Sequence, residues 1–312
     1  MYQIRLIWLV IVITGLVLAG CGKVNNAKVD LSQRPIAITT TVGMISDIVK
    51  NVGGERVVVT GLMGPGVDPH LYKPSAGDIA KLEDADVIFY GGLELEGRMT
   101  DVFEKQAQTG KPTFAVSAGI DRAKLRNPPE FKGKYDPHIW FDVSLWQDAA
   151  REVAKQLSTL DPNSQAVYER NLATYLGQLD ELHQYIKAQV ATLPAENRVL
   201  VTAHDAFGYF GAQYGFEVRG LQGISTASEA GAGDVQSLAD FIAERKIKAI
   251  FVESSVPQAT IEAVQQAVQS RGWDVQIGGQ LFADAMGNEG TPEGTYVGMV
   301  RHNVDTIVGA LK

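Results

Sequence analysis

Cysteine is nearly absent from this chain: its 312 residues include only Cys21. A single cysteine excludes an intramolecular disulfide and a thiolate cage, so a metal bound here must use nitrogen and oxygen ligands. A basic surface is also missing, because 28 Lys and Arg residues face 36 Asp and Glu residues and the formal net charge is -8. That balance offers no general footprint for nucleic acid, and we expect no nucleic-acid partner.

Long apolar runs are confined to the N-terminus. Leu6 to Ala19 is apolar and follows Arg5, which is the charged-then-apolar order of a secretory signal. The run is too short to span a bilayer comfortably. No later stretch is long enough to cross a membrane. About 290 residues remain after the proposed cleavage, enough for two domains of ordinary size.

The apolar run ends in Leu18-Ala19-Gly20-Cys21, which resembles a bacterial lipobox that is cleaved just before the cysteine. We therefore expect a lipoprotein signal peptide over residues 1–20, lipid on Cys21 and a polar tether over residues 21–34. The alternatives are an ordinary signal peptide with a chance cysteine, or a single anchoring helix.

Beyond the tether, short β-branched or apolar segments alternate with segments of helical periodicity. The predicted strands are Ile36–Val42, Val57–Met63, Val87–Gly91, Arg198–Ala203, Ala249–Glu253 and Trp273–Ile277. One helix is predicted directly after Gly43. The other predicted helices occupy Ser75–Glu83, with Ser75 as the cap, Gly97–Gln108, Phe207–Tyr214, Val235–Arg245 and Pro257–Arg271. Such alternation predicts an α/β fold with parallel sheets covered on both faces.

One much longer helix interrupts this alternation, from Asp161 to about Ala191. Asp161 is a natural N-cap, and Pro162 suits the first helical position. The sequence therefore predicts an N-terminal α/β lobe over residues 35–160, a linker helix over 161–192 and a C-terminal α/β lobe over 193–312.

The five histidines divide into two groups. His70, His138 and His204 lie where a predicted strand gives way to a loop or helix, whereas His183 and His302 lie within helices. Ligand sites in parallel α/β sheets form at the carboxyl ends of the strands. A single histidine at such a place is more often a hydrogen-bonded loop residue than a ligand. Three of them together make a shared metal site a hypothesis.

A fourth ligand is needed, and three carboxylates compete for the role. Asp284 lies just past the strand that ends near Ile277, Glu253 ends the strand before it, and Asp205 directly follows His204. The pattern alone does not rank them.

Several segments resemble the cluster A-I family of zinc and manganese solute-binding proteins of ABC importers, and within it the TroA-like branch. The segments are Thr39-Thr40-Thr41, Pro65-Gly66-Val67-Asp68-Pro69-His70-Leu71-Tyr72, His138-Ile139-Trp140-Phe141-Asp142, Thr202-Ala203-His204-Asp205-Ala206-Phe207-Gly208-Tyr209, Gly220-Leu221-Gln222-Gly223-Ile224-Ser225-Thr226, Glu253-Ser254-Ser255 and Gly279-Gln280-Leu281-Phe282-Ala283-Asp284-Ala285-Met286-Gly287. They span nearly the whole chain after the signal peptide.

The resemblance implies two α/β lobes bridged by one rigid helix, with a metal ion in the cleft between them. Its ligand positions fall on His70 and His138 from the first lobe and on His204 and Asp284 from the second. It further implies a monomeric receptor, lipid-anchored outside the cytoplasm, that delivers Zn²⁺ or Mn²⁺ to the permease and ATPase of an importer and is not an enzyme.

Three imidazoles and one carboxylate would close the coordination sphere, which suits carriage better than hydrolysis. The other ring nitrogens need acceptors, for which Asp68, Asp142 and Asp205 are candidates. Nitrogen-rich sites bind Zn²⁺ more tightly than Mn²⁺ whatever the physiological ion is. In the family, histidine as the third ligand goes with zinc receptors and TroA-like proteins, but residues 119–136 lack the His-rich loop of many zinc receptors.

Two other functions stay open at this level. The first is an envelope metallohydrolase in which His204, with Asp205 or Glu253, activates a zinc-bound water. The second is a surface adhesin in which the metal is only structural.

Overall fold

The structure is a computed structural model and describes residues 31–312. The predicted signal peptide, Cys21 and most of the predicted tether lie outside the described residues. Within the described part of the chain, no helix combines the length and the apolar character needed to cross a membrane.

The first lobe is built on one parallel sheet with the strand order β2-β1-β3-β4. Its strands are β1 (Ile36–Thr40), β2 (Val57–Gly61), β3 (Val87–Tyr90) and β4 (Thr113–Ala115). Its helices are α1 (Gly43–Gly53), α2 (Ala76–Asp84), α3 (Thr100–Gln108) and α4 (Val143–Leu160). As predicted, Ser75 caps α2, and it does so in a capping box with Asp78. The parallel, covered sheet confirms the predicted α/β class.

A 26-residue helix, α5 (Gln165–Val190), joins the two lobes. Its buried face consists of Tyr168, Tyr175, Leu179, Leu182, Ile186 and Val190. These side chains pack against α1 and α4 of the first lobe and against the last helix of the second. Truncating one of them, as in Leu179→Ala, should cost about 2–5 kcal/mol of folding free energy. A helix packed on both lobes along its length is a stiff connection.

The second lobe contains two parallel strand pairs, β5-β6 and β7-β8. The strands are β5 (Val199–His204), β6 (Glu217–Gln222), β7 (Ala249–Glu253) and β8 (Gln276–Leu281). The helices are α6 (Gly208–Tyr214), α7 (Ala232–Arg245), α8 (Ala259–Gln269) and α9 (Tyr296–Leu311). All six residues of β5 and all five of β7 are buried, so these two strands form the middle of the lobe.

The long helical segment begins at Pro162, as predicted, although its first turn, Pro162–Ser164, is a 3-10 turn that leads directly into α5. The Asp161 side chain does not provide the predicted cap. Instead, the buried Asp161 carboxylate accepts hydrogen bonds from Arg56 at 2.7 Å and Tyr168 at 3.0 Å. The ion pair with Arg56 ties the start of the linker to the first lobe, and this tertiary contact outcompetes the local cap.

Other elements departed from the sequence-based prediction because packing decides them. The strand predicted over Trp273–Ile277 is displaced to β8, which contains Gly278. A Cβ at Gly278 would lie 2.7 Å from both Ala310 and Phe251, so glycine allows β8 to approach α9 and β7. Strands β4 and β6 were not predicted, because their apolar character is weak. Helix α4 was not predicted either.

Candidate metal centre

Four buried side chains converge between the lobes: His70, His138, His204 and Asp284. His70 lies in the turn after β2, His204 is the last residue of β5, and Asp284 is the third residue after β8. His138 was predicted to follow a strand, but in the structure it directly precedes the 3-10 turn Ile139–Phe141, which leads into α4. Their exposed fractions lie between 0 and 3 %. The structure thus brings together the four side chains that the resemblance had indicated.

The donor atoms face one another at regular distances. The Nε2 atom of His138 lies 3.3 Å from Nε2 of His70 and 3.4 Å from Nε2 of His204. The Asp284 carboxylate oxygens lie 3.2 Å from Nε2 of His138 and of His204, and 3.6 Å from Nε2 of His70. Ligands bound at about 2.0 Å in a tetrahedral site lie about 3.3 Å apart, by the geometry of a tetrahedron. The four donors therefore already have the spacing of a four-coordinate metal site.

Both carboxylate oxygens of Asp284 are buried and have no hydrogen-bond partner among residues 31–312. A buried charged group without partners is strongly unfavourable unless an opposite charge compensates it. The three Nε2 atoms approach the carboxylate oxygens to between 3.2 and 3.6 Å, and the four donor atoms all lie within 4.8 Å of one another. Imidazole nitrogens with one carboxylate form a donor set that suits a borderline divalent ion such as Zn²⁺.

Two of the three imidazoles are oriented through their other ring nitrogen. Nδ1 of His138 lies 2.8 Å from Oδ1 of Asp136, and Nδ1 of His204 lies 2.5 Å from Oε2 of Glu253. Each carboxylate also accepts the backbone N–H of the same histidine, at 3.0 Å and 2.9 Å. A carboxylate on Nδ1 fixes the tautomer that leaves Nε2 free to ligate. Glu253, a candidate for the fourth ligand position, therefore lies behind His204 and orients its ring.

The carboxylates predicted to orient the rings lie elsewhere. Asp68 accepts the backbone N–H of His70 at 2.8 Å, but the buried Nδ1 of His70 has no hydrogen-bond partner in the described part of the chain. Asp142 caps α4 by accepting the N–H of Ser144. Asp205, the other candidate ligand, is outside the four-residue cluster. A signal for Asp136 was present in the sequence, because the tripeptide Asp-Pro-His occurs both at residues 68–70 and at 136–138.

The backbone around the site is held by contacts between elements. A Cβ at Gly220 of β6 would lie 2.4 Å from the backbone nitrogen of Asp205, so glycine is needed where β6 passes the end of β5. Before Asp284, the side chain of Asn303 on α9 accepts from the N–H of Phe282 and donates to its carbonyl. The indole N–H of Trp140 donates to the carbonyl of Ala283 at 3.1 Å, linking the first lobe to the Asp284 segment.

The pKa is raised for two of the three imidazoles and lowered for the third. Burial lowers the pKa of His138, but hydrogen bonding to Asp136 and the nearby Asp284 outweigh burial and raise it to about 9. Burial likewise opposes charge on His204, yet Glu253 and Asp284 raise its pKa well above the ordinary value. For His70, burial dominates and lowers the pKa to about 3. Burial disfavours the charged Asp284, but the positive charge of His204 holds its pKa well below the usual range.

The two remaining histidines lie in helices and apart from the cluster, as predicted. Nδ1 of His183 on α5 lies 3.0 Å from the hydroxyl of Tyr214, and Nε2 of His302 on α9 donates to the carbonyl of Gln280 at 3.0 Å. Both therefore have structural partners.

Residues 38–310 match the family described as the periplasmic zinc-uptake complex component A. Over 274 residues the chain is 54 % identical to the zinc-binding protein TroA of Treponema pallidum, a match that covers 88 % of each chain. Over 296 residues it is 48 % identical to the manganese-binding lipoprotein MntA of Bacillus subtilis, covering 95 % of each.

The fold is shared as well as the sequence. The solved structure of the periplasmic zinc-binding protein TroA from Treponema pallidum superposes with a TM-score of 0.86 at 53 % identity, covering 89 % of this chain and 99 % of that one. This agreement confirms the predicted pair of α/β lobes and the long connecting helix.

Proposed function

Because the chain belongs to the family of the periplasmic zinc-uptake complex component A, we propose that it is the substrate-binding receptor of a metal ABC importer. Its cargo is one divalent transition metal ion, Zn²⁺ or Mn²⁺, which it binds outside the cytoplasm and delivers to the permease. Relatives named as a zinc-binding protein, a manganese-binding lipoprotein and a manganese ABC transporter substrate-binding lipoprotein support this assignment.

The observation that carries the proposal is the convergence of His70, His138, His204 and Asp284 at ligand spacing between two lobes. Two donors come from each side of the cleft, so a bound ion holds the lobes together. The buried Asp284 carboxylate faces the imidazoles of His138 and His204 at 3.2 Å, and a divalent cation at the centre would replace the positive charge that those rings carry when protonated. We therefore assign these four residues as the metal ligands.

The same geometry supports binding rather than catalysis. Catalytic zinc keeps a coordination position for water or substrate, whereas here four buried protein donors surround the centre. Glu253 and Asp205, the residues that a hydrolase would use to activate water, do not face the centre as free bases: Glu253 is engaged by His204. The proposal accordingly assigns no enzymatic activity, and nothing in the site favours the adhesin alternative.

The donor set bears on the choice of metal without fixing it. Three nitrogens and a carboxylate that can bind through both oxygens accommodate four-coordinate Zn²⁺ and a higher-coordinate Mn²⁺. In equilibrium binding, Zn²⁺ should exceed Mn²⁺ in affinity because the divalent series favours zinc at nitrogen ligands. Selection in the cell would then follow from metal availability.

The anchoring that we propose involves residues outside the described part of the chain. Signal peptidase would remove residues 1–20, lipid on Cys21 would hold the protein at the membrane, and the tether would extend to residue 34. The protein would act as a monomer beside the permease and ATPase of its importer.

An uptake assay tests the proposal. A host strain in which the chromosomal copy carries Asp284→Ala should lose uptake of radioactive zinc or manganese at limiting metal, while immunoblots show an unchanged amount of protein. His302→Ala serves as the matched control, because this histidine lies outside the metal centre. Unchanged uptake in the Asp284→Ala strain would contradict the assigned function.

A further inference from the structure

The two edges of the metal cleft are joined very differently. On the His138 edge, buried hydrogen bonds cross between the lobes in series. The hydroxyl of Tyr209 donates to the carbonyl of Asp136 at 2.9 Å and accepts the N–H of Arg126 at 3.0 Å. The hydroxyl of Tyr296 donates to the carbonyl of Trp140 at 2.7 Å. Together with the Trp140 to Ala283 bond, these contacts fix His138 between both lobes.

On the His70 edge, two pockets that are partly open to solvent lie between the lobes. A cavity of about 340 Å³ lies between Asp68 and Leu71 of the first lobe and Gln222, Thr226 and Ser255 of the second. A second cavity of about 380 Å³ lies on the other flank of the same turn. The second is lined by Pro65 and Gly66 together with Ser254, Gln280 and Met286. The turn over residues 64–70 therefore lies between two cavities.

Polar atoms along this edge are unpaired. Within the described part of the chain, the side-chain oxygens of Gln222, Ser254 and Ser255 have no protein hydrogen-bond partner, and neither does Nδ1 of His70. The His70 edge consequently has fewer direct hydrogen bonds between the lobes than the His138 edge.

Among the described residues, two side-chain hydrogen bonds join the lobes on this side: Lys50 on α1 donates to Glu289 at 3.1 Å on the exposed surface beside Gly64 and Pro65, and a second bond lies next to His70. The hydroxyl of Thr226 donates to Oδ2 of Asp68 at 2.6 Å, while Oδ1 of Asp68 accepts the N–H of His70. Thr226 is 4 % exposed and Asp68 is half-buried, so the bond is partly shielded from solvent. In the matching tripeptide at residues 136–138, the aspartate contacts the histidine ring. Asp68 instead contacts Thr226 in the opposite lobe. Asp68 thus couples the backbone of a ligand histidine to the second lobe.

Given the proposed function, we propose that Asp68 and Thr226 form a latch that controls how fast the metal ion enters and leaves the cleft. Opening this bond frees the turn over residues 64–70, so that His70 swings away while His138, His204 and Asp284 keep their places. The cavities beside the turn provide the space into which it moves. Asp68 and Thr226 are positioning residues and do not ligate the ion.

The latch is tested by Thr226→Val, which replaces the hydroxyl by a methyl group of similar size. Zinc-loaded protein is mixed with excess chromophoric chelator in a stopped-flow instrument, which gives the rate of zinc release. The rate at which the metal-free protein binds zinc is measured in a separate experiment. Release should accelerate by roughly tenfold or more, the scale of losing a hydrogen bond to a charged group, and uptake should accelerate too. Thr226→Ser keeps the donor and should restore slow release.

Thr39→Val is the matched control, since Thr39 is 2 % exposed and its hydroxyl donates to Lys81 within the first lobe. Its release rate should equal that of the wild-type protein. Where Thr226→Val fails to fold, Thr226→Ala removes the same hydroxyl without inserting a methyl group.

The outcomes separate the latch from the receptor function. Wild-type protein that binds zinc, with Thr226→Val releasing it at the wild-type rate, overturns the latch and leaves the function standing. A release rate that rises equally in Thr226→Ser and Thr226→Val also overturns it, because the hydroxyl would then be irrelevant. Wild-type protein that binds no zinc overturns the proposed function itself.

Discussion

Glu253 holds His204 by two bonds, with Oε1 accepting the backbone N–H at 2.9 Å and Oε2 lying 2.5 Å from the ring Nδ1. The pair is fully buried, and its carboxylate comes from the end of β7 while the imidazole comes from the end of β5. Adjacent strand ends therefore supply a ligand together with the group that orients it. The opposite edge of the ring, which carries Nε2, therefore faces Asp284.

Replacing this carboxylate by an amide should impair the ligand without removing it. In Glu253→Gln, an amide NH₂ facing Nδ1 would favour the tautomer with its proton on Nε2, which cannot ligate. Metal affinity should fall by roughly 10 to 100-fold, the usual scale for loss of a group that orients a ligand. Competition with a chromophoric chelator measures the change.

The matched control is Glu152→Gln, a buried glutamate on α4 that contacts Lys155 and Gln156 on its own helix. That variant should bind metal as the wild-type protein does. Equal affinities in both variants would show that Glu253 has no role in orienting His204.

The positions of the candidate ligands could be foreseen because they depend on chain direction. His70, His204 and Asp284 all follow parallel strands, and the carboxyl ends of such strands meet at one edge of a sheet. His138 shows the limit of this rule, since a 3-10 turn presents it and the nearest preceding strand ends at Ala115. For His138, the family resemblance carried more information than the strand pattern did.

The partners of the rings could not be foreseen from the sequence. Which carboxylate reaches a ring nitrogen depends on side-chain directions that only tertiary packing sets. Asp68 and Asp136 occupy the same place in identical Asp-Pro-His tripeptides, yet only Asp136 reaches its ring, because Thr226 engages Asp68. Likewise, Asp161 has the character of a helix cap but is drawn into an ion pair with Arg56.

Metal-induced stabilisation should grow with pH. The pKa of His138 is raised to about 9, so without metal the charged ring stabilises the fold at low pH, and that contribution is lost as the pH rises through 9. Coordination requires the neutral ring, so metal must displace this proton below pH 9. The rise in melting temperature on adding chelator-buffered Zn²⁺ should therefore increase between about pH 6.5, the ordinary imidazole value, and pH 9.

Differential scanning fluorimetry at matched free zinc concentrations checks this. The His138→Ala variant, which lacks the raised pKa, should show little stabilisation at any pH. A thermal shift that stays constant in the wild-type protein across this range would contradict proton displacement at His138.

Anchoring should depend on Cys21. The Cys21→Ser variant should lose its lipid and be released from membranes or retained as an unprocessed precursor, because the thiol is the expected site of attachment. Membrane fractionation and the mass of the mature N-terminus report the result. Unchanged values for both would rule out the lipobox interpretation.

Metal titration of seven proteins tests most directly the claim that one ion is held by His70, His138, His204 and Asp284. The proteins are the wild type, His70→Ala, His138→Ala, His204→Ala, Asp284→Ala, His183→Ala and His302→Ala. The wild type and the two variants of helical histidines should bind a single Zn²⁺ per chain with the same affinity. The four ligand variants should bind it at least ~100-fold more weakly, because each loses a direct ligand rather than an orienting group. Equal affinities across all seven proteins would contradict the account.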